Sequence, residues 1–229
     1  MVTNANFPFF NKAISAWNKS SMPTQLLALG SGYLNAAWPL ALWAAGTHSE
    51  VALWGGGAAT FIIRSVAVYL IVCDLKRDVT RRVMGWLWLT GSTIALYTPF
   101  AVAFAPAYAL DGHPFTGAFL LLAIAALPIV ALLPAWPAVQ MRAERLTSPL
   151  RVFRATKGYR WGLALSFFFP GSLAKAIPPT DAASTLSGAL VRFAGHGLLD
   201  TFLTLVAGGI AVTAWQFACE RDPSLCVVS

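Results

Sequence analysis

Long apolar runs separated by short polar connections dominate the pattern of this chain. "LLALGSGYLNAAWPLALWAAG" (26–46) carries no charge, and "VALWGGGAATFIIRSVAVYLIVC" (51–73) carries one, Arg64. Residues 84–110 and 115–140 are again uncharged. Residues 161–178 hold only Lys175, and 187–219 hold Arg192, His196 and Asp200. A helix rises about 1.5 Å per residue and needs roughly 20 apolar residues to cross a hydrocarbon layer about 30 Å thick. The pattern therefore predicts an all-α, polytopic membrane protein with transmembrane helices over 26–46, 51–73, 84–110, 115–140, 161–178 and 187–219. Ahead of them, Phe10, Ile14 and Trp17 recur at i, i+4 and i+7 beside Lys12 and Lys19, as in a short helix lying in the headgroup region. The implied organisation is an interfacial segment (1–24), a membrane domain (25–219) and a short cytoplasmic tail (220–229).

Composition agrees with a bilayer as solvent. Apolar residues make up 57% of the chain and charged residues 11%, too little charge to cover a soluble domain. The net charge of +7 raises nucleic acid as a partner, but the placement of the basic residues removes it. They cluster between apolar runs, at Lys76, Arg77, Arg81 and Arg82 and at Arg142, Arg145, Arg151, Arg154, Lys157 and Arg160. The alternate connections at 47–50, 111–114 and 179–185 contain neither Lys nor Arg. That asymmetry places the basic segments and both termini in the cytoplasm, in an inner (plasma) membrane. Membrane lipids are then partners, and the 142–160 surface suits anionic headgroups or an acidic protein partner in a membrane complex. Cys73, Cys219 and Cys226 form no metal or disulfide pattern and fall on the reducing side, so all three are expected as free thiols.

Chemistry is sparse. His48, His113 and His196 are too scattered to ligate a metal, no nucleophile elbow occurs, and no cofactor is expected. The strongest constellation is in "VRFAGHGLLDTF", where Arg192, His196 and Asp200 fall at i, i+4 and i+8 on one helix face. Ionisable groups in hydrocarbon cost about 2.5–3.5 kcal/mol each and turn inward to pair. Arg64 lies thirteen residues after Val51 and Asp200 thirteen after Ser187, so the two sit at one depth and are expected to form an ion pair. With Lys175, these residues make an intramembrane polar network. "GSG" (30–32) and "GGGAA" (55–59) offer small faces for close helix contact.

Two family resemblances add to this reading. Residues 133–165 resemble a passage in bacterial six-span membrane proteins of the YciC-like kind, in which a Leu-Arg pair, a short helix and Thr-(Lys/Arg)-Gly-aromatic-Arg-Trp open the next span. Here these are Leu150, Arg151, Thr156, Lys157, Gly158, Tyr159, Arg160 and Trp161. The resemblance implies a fold and an inner-membrane location, with no reaction attached. "CDLKRDVTRR" (73–82) resembles the end of the aspartate-rich motif of UbiA-type aromatic prenyltransferases, whose carboxylates hold magnesium on a prenyl diphosphate. Asp74 and Asp78 have the final spacing, while Leu70 and Ile71 replace the family's Asn-Asp. Asp200 matches one residue of the later motif, with Thr204 where a second aspartate belongs. The sequence leads to an integral membrane protein that is non-enzymatic: an accessory or assembly subunit, or a lipid- or solute-handling protein. The alternatives are a small transporter using Arg64, His196 and Asp200, and a degenerate prenyltransferase using Asp74 and Asp78.

Overall fold

The computed structural model describes residues 8–46, 50–76, 83–109, 135–143, 146–159, 161–162, 177–180 and 183–225, with scattered positions between 117 and 132. Among the described residues every regular element is helical: α1 (Pro8–Lys19), α2 (Met22–Ala44), α3 (Glu50–Leu75), α4 (Val83–Ala109), α5 (Trp136–Gln140), α6 (Pro149–Ala155) and α7 (Leu186–Arg221). A 3-10 turn, Pro223–Leu225, follows. The chain divides into two units. The first comprises residues 1–81 and 166–212, the second residues 82–165 and 213–229.

In the first unit, α2 and α3 pack side by side and α1 rests against α3. Ser21, in extended conformation (φ −64°, ψ 151°), starts α2, with Pro23 in the first turn where a missing N–H costs nothing. Gly46, at φ +64°, ends it by donating its N–H to the Trp43 carbonyl, a left-handed stop that a side chain would resist. Ala16, Ala28, Ile71 and Leu205 form a buried cluster joining α1, α2, α3 and α7, with Trp17 and Leu75 against it. The Gln25 side chain donates to the carbonyls of Trp17 and Ser20 and ties the end of α1 to the start of α2. The expected N-terminal helix is thus present, with Ile14 exposed and Trp17 half-buried.

Small residues set the spacing of this unit. A Cβ added at Gly32 would come within 2.6 Å of the Gly197 carbonyl oxygen on α7, and one at Gly56 within 2.2 Å of the Trp38 ring on α2. Their neighbours Gly30, Gly55 and Gly57 meet nothing within 4 Å. Each glycine-rich stretch therefore uses one residue for close helix contact.

In the second unit, α4 packs on α5 and α5 on α6. The Trp136 indole donates to the Thr147 carbonyl, and the Thr147 N–H donates to the fully buried Gln140 side chain, closing the 140–147 connection. Gly158, at φ +97°, reverses the chain after α6, so the glycine of the Thr-Lys-Gly-Tyr-Arg-Trp passage is required by backbone geometry. Tyr159 beyond it stacks on Phe217 of α7, with ring centroids 4.2 Å apart.

In the first unit Leu26, Leu34, Ile62, Val191 and Leu198 are exposed, whereas Thr24, Ser31, Thr201 and Thr204 are buried. In the second, Met84, Leu87 and Ile94 are exposed and Ser92, Gln140, Thr156 and Thr213 are buried. Exposed apolar side chains on several helices suit hydrocarbon, and the interior combines apolar residues such as Ile71 and Ile210 with buried hydroxyls. Two described stretches are long and apolar enough to cross a membrane, Gly55–Leu75 and Leu186–Arg221. Helices α2 and α4 coincide in extent with the first and third apolar runs. The runs 115–140 and 161–178 fall largely outside the described residues.

The cysteine expectation needs correcting. Cys73 is a buried free thiol as expected, but Cys219 is disulfide-bonded; Cys226 lies outside the described residues.

Candidate functional site

A half-buried polar site between helices is built by three helices of the first unit. Asn35, midway along α2, donates from Nδ2 to Asp200 Oδ2 on α7 at 2.6 Å. Thr60 of α3 donates its hydroxyl to Asn35 Oδ1 at 2.9 Å. Donors thus run in one direction, from the Thr60 hydroxyl through the Asn35 amide to the Asp200 carboxylate. Thr60 Oγ1 also lies 3.0 Å from the carbonyls of Gly56 and Gly57, so it can be satisfied by its own helix. Asp200 Oδ1 has no hydrogen-bond partner among the described residues. One side of the carboxylate is therefore fixed and the other is open.

The surroundings hold this geometry. Thr201 and Thr204 bond back to the carbonyls of Gly197 and Asp200 at 2.8 Å, burying their hydroxyls against α7 itself. Gly197 lets the Tyr33 ring lie against α7, and Tyr33 meets Phe193 edge-on with centroids 5.5 Å apart. These contacts hold α2 against α7 beside Asn35.

The stripe Arg192, His196 and Asp200 divides its work. Arg192 Nη1 donates to the Pro179 carbonyl at 2.7 Å, and the His196 Nε2–H donates to the Pro178 carbonyl at 3.1 Å. Two adjacent prolines have no N–H between them, and their carbonyls accept from these two residues. Only Asp200 turns to the interior site. The ion pair expected between Arg64 and Asp200 is absent among the described residues; Asn35 occupies that carboxylate. Equal depth fixed height along the helices but not azimuth, which advances about 100° per residue. Thr60, one turn before Arg64, is the α3 residue that joins the relay, and it does so through α2. Lys175 lies outside the described residues. Asn35 and Thr60 are neutral, so charge gives no sign of them in the sequence. The available signal was that Asn35 is the most polar residue of an otherwise uncharged run.

Asp74 has a structural task. Its Oδ2 accepts the Ser21 backbone N–H at 2.8 Å and the Ser21 hydroxyl at 2.7 Å, fastening the start of α2 to the end of α3. Asp78, with Arg77, Arg81 and Arg82, lies outside the described residues.

The basic surface splits as well. Arg151 grips Asp222 with two parallel bonds, Nε to Oδ2 at 2.7 Å and Nη2 to Oδ1 at 3.0 Å, and also reaches Ser224. Hydrogen bonding from Arg151, helped by Ser224, holds the Asp222 carboxyl below its usual range and raises Arg151 further. Arg142 lies over the Trp215 ring, 4.4 Å from its centroid. Arg154 and Lys157 are exposed and have no ion-pair partner among the described residues. Arg145 and Arg160 fall outside them.

No family model, curated protein or solved structure matches the chain.

Proposed function

We propose that the chain is a six-span inner-membrane protein with both termini in the cytoplasm, and that it handles a solute at Asp200. The observation that carries the reading is the half-open Asp200 carboxylate, fixed by Asn35 within a bundle whose outer faces are apolar. A carboxylate so placed is costly in hydrocarbon and marks ion or proton paths in membrane proteins. Its free oxygen can take a proton or a monovalent cation while Asn35 keeps the side chain oriented. Exposed apolar faces would serve an accessory subunit equally well; the interior carboxylate is what favours solute handling.

Two observations bear on orientation and pull apart. The basic residues gather in alternate connections, which favours cytoplasmic termini. The disulfide at Cys219 favours an oxidising compartment for the C-terminal end. The charge asymmetry runs along the whole chain, whereas the disulfide concerns one end.

Proteoliposomes loaded with a pH dye and driven by a potassium diffusion potential test the proposal. Proton entry above that of protein-free vesicles, abolished by Asp200→Asn and reduced by Asn35→Ala, is expected. Entry that persists in Asp200→Asn, or no entry at all in the unmodified protein, removes the proton-linked reading.

A further inference from the structure

The second unit contains a cleft of about 380 Å³, lined along α4 by Leu87, Trp88, Gly91 and Ser92 and opposite by Trp136 and Leu146. Two polar groups of its walls are engaged elsewhere. The Ser92 hydroxyl bonds to the Trp88 carbonyl of its own helix at 2.6 Å, and the Trp136 indole bonds to the Thr147 carbonyl at 2.9 Å. What remains is a hydrocarbon surface. The lining runs from Met84 to Ala95. The eleven residue steps between them span about 16 Å of helix, the depth of a single leaflet of about 15 Å.

Size and charge select the occupant. A single hydrocarbon chain fits. Helix α6 begins three residues beyond Leu146, and it leads to the exposed Arg154 and Lys157, which have no ion-pair partner among the described residues. We propose that this cleft holds one acyl chain of an anionic phospholipid of the inner leaflet, with Arg154 and Lys157 holding its phosphate. The proposal rests on the reading that the chain is embedded with its basic segments on the cytoplasmic side. It is independent of any role for Asp200.

Quenching by chain-brominated lipids tests it, with the full protein in phosphatidylcholine vesicles. Brominated phosphatidylglycerol should quench Trp88, identified as the signal lost in Trp88→Phe, at about thirtyfold lower mole fraction than brominated phosphatidylcholine, the effect that two interfacial cations at about 1 kcal/mol each supply. Arg154→Gln combined with Lys157→Gln should erase that preference. Gly91→Phe should erase the quenching itself while helicity is retained, because a Cβ at Gly91 meets nothing within 4 Å and the ring enters the cleft freely. Equal quenching by the two lipids, or a Gly91→Phe variant quenched like the parent, overturns the site. A stoichiometric polypeptide shielding Trp88 from both lipids overturns it too. Recovery of the protein in the soluble fraction would instead contradict the membrane reading beneath it.

Discussion

Replacing Asn35 by Ala probes the interior site at its centre. The change removes the 2.6 Å bond to Asp200 and the acceptor of the Thr60 hydroxyl. The second loss is small, because Thr60 can donate to its own helix at 3.0 Å. Hydrogen bonds between membrane helices average about 0.6 kcal/mol and reach about 1.7 kcal/mol, and bonds to a charged acceptor are about twice as strong as neutral ones. Asn35→Ala should therefore cost about 1–2 kcal/mol, and Thr60→Val well under about 1 kcal/mol. Arg64→Ala removes no hydrogen bond seen among the described residues and should stay within about 0.5 kcal/mol of the parent. Reversible unfolding in mixed detergent and SDS micelles gives these values. Double-mutant cycles then give coupling energies for Asn35 with Asp200 and for Arg64 with Asp200. A larger coupling for the Arg64 pair than for the Asn35 pair would refute the relay and restore the ion pair expected from depth.

Three further outcomes follow from the same geometry. Gly32→Ala places a Cβ 2.6 Å from backbone on α7 and should destabilise by about 1–3 kcal/mol, while Gly30→Ala, facing open space, should be neutral in the same unfolding assay. Asp74→Ala removes both bonds to Ser21 and should cost about 1 kcal/mol, as loss of a helix cap does, with amide exchange faster in the first turn of α2. For Asp222, the folded carboxyl sits below its unfolded value, so its stabilisation is complete above the ordinary range near about 3.9 and is lost as pH falls through the folded value. Amide protection of Leu225 should accordingly hold at neutral pH and fall in acid, and Arg151→Ala should abolish the dependence.

The helical architecture was legible because apolar runs of helical length leave few alternatives. The bounds expected for the second and last runs, 51–73 and 187–219, differ from α3 and α7 by one or two residues at each end. The glycine stretches pointed to close contact, but sequence could not say which glycine of each faces a neighbour, since that depends on helix rotation. The same ignorance of rotation produced the Arg64–Asp200 expectation. Charge drew attention to Arg64, yet a neutral amide on a third helix holds the carboxylate. Arg192 and His196 were legible as a pair on the face of Asp200; that they would hold the Pro178 and Pro179 carbonyls was not, because those acceptors are backbone atoms of a separate segment. Asp222 and Ser224, which engage Arg151, were hidden in a tail with no periodicity to place it.

Both the Asp200 site and the leaflet cleft require a chain that crosses the bilayer with its basic segments in the cytoplasm. Single cysteines introduced into an otherwise cysteine-free chain at His48, His113 and Lys157 measure this directly, by labelling of intact cells with a membrane-impermeant maleimide. Labelling of His48→Cys and His113→Cys, with Lys157→Cys reacting only after the membrane is opened, is the predicted result. Labelling of Lys157→Cys in intact cells would contradict the orientation and side with the disulfide at Cys219.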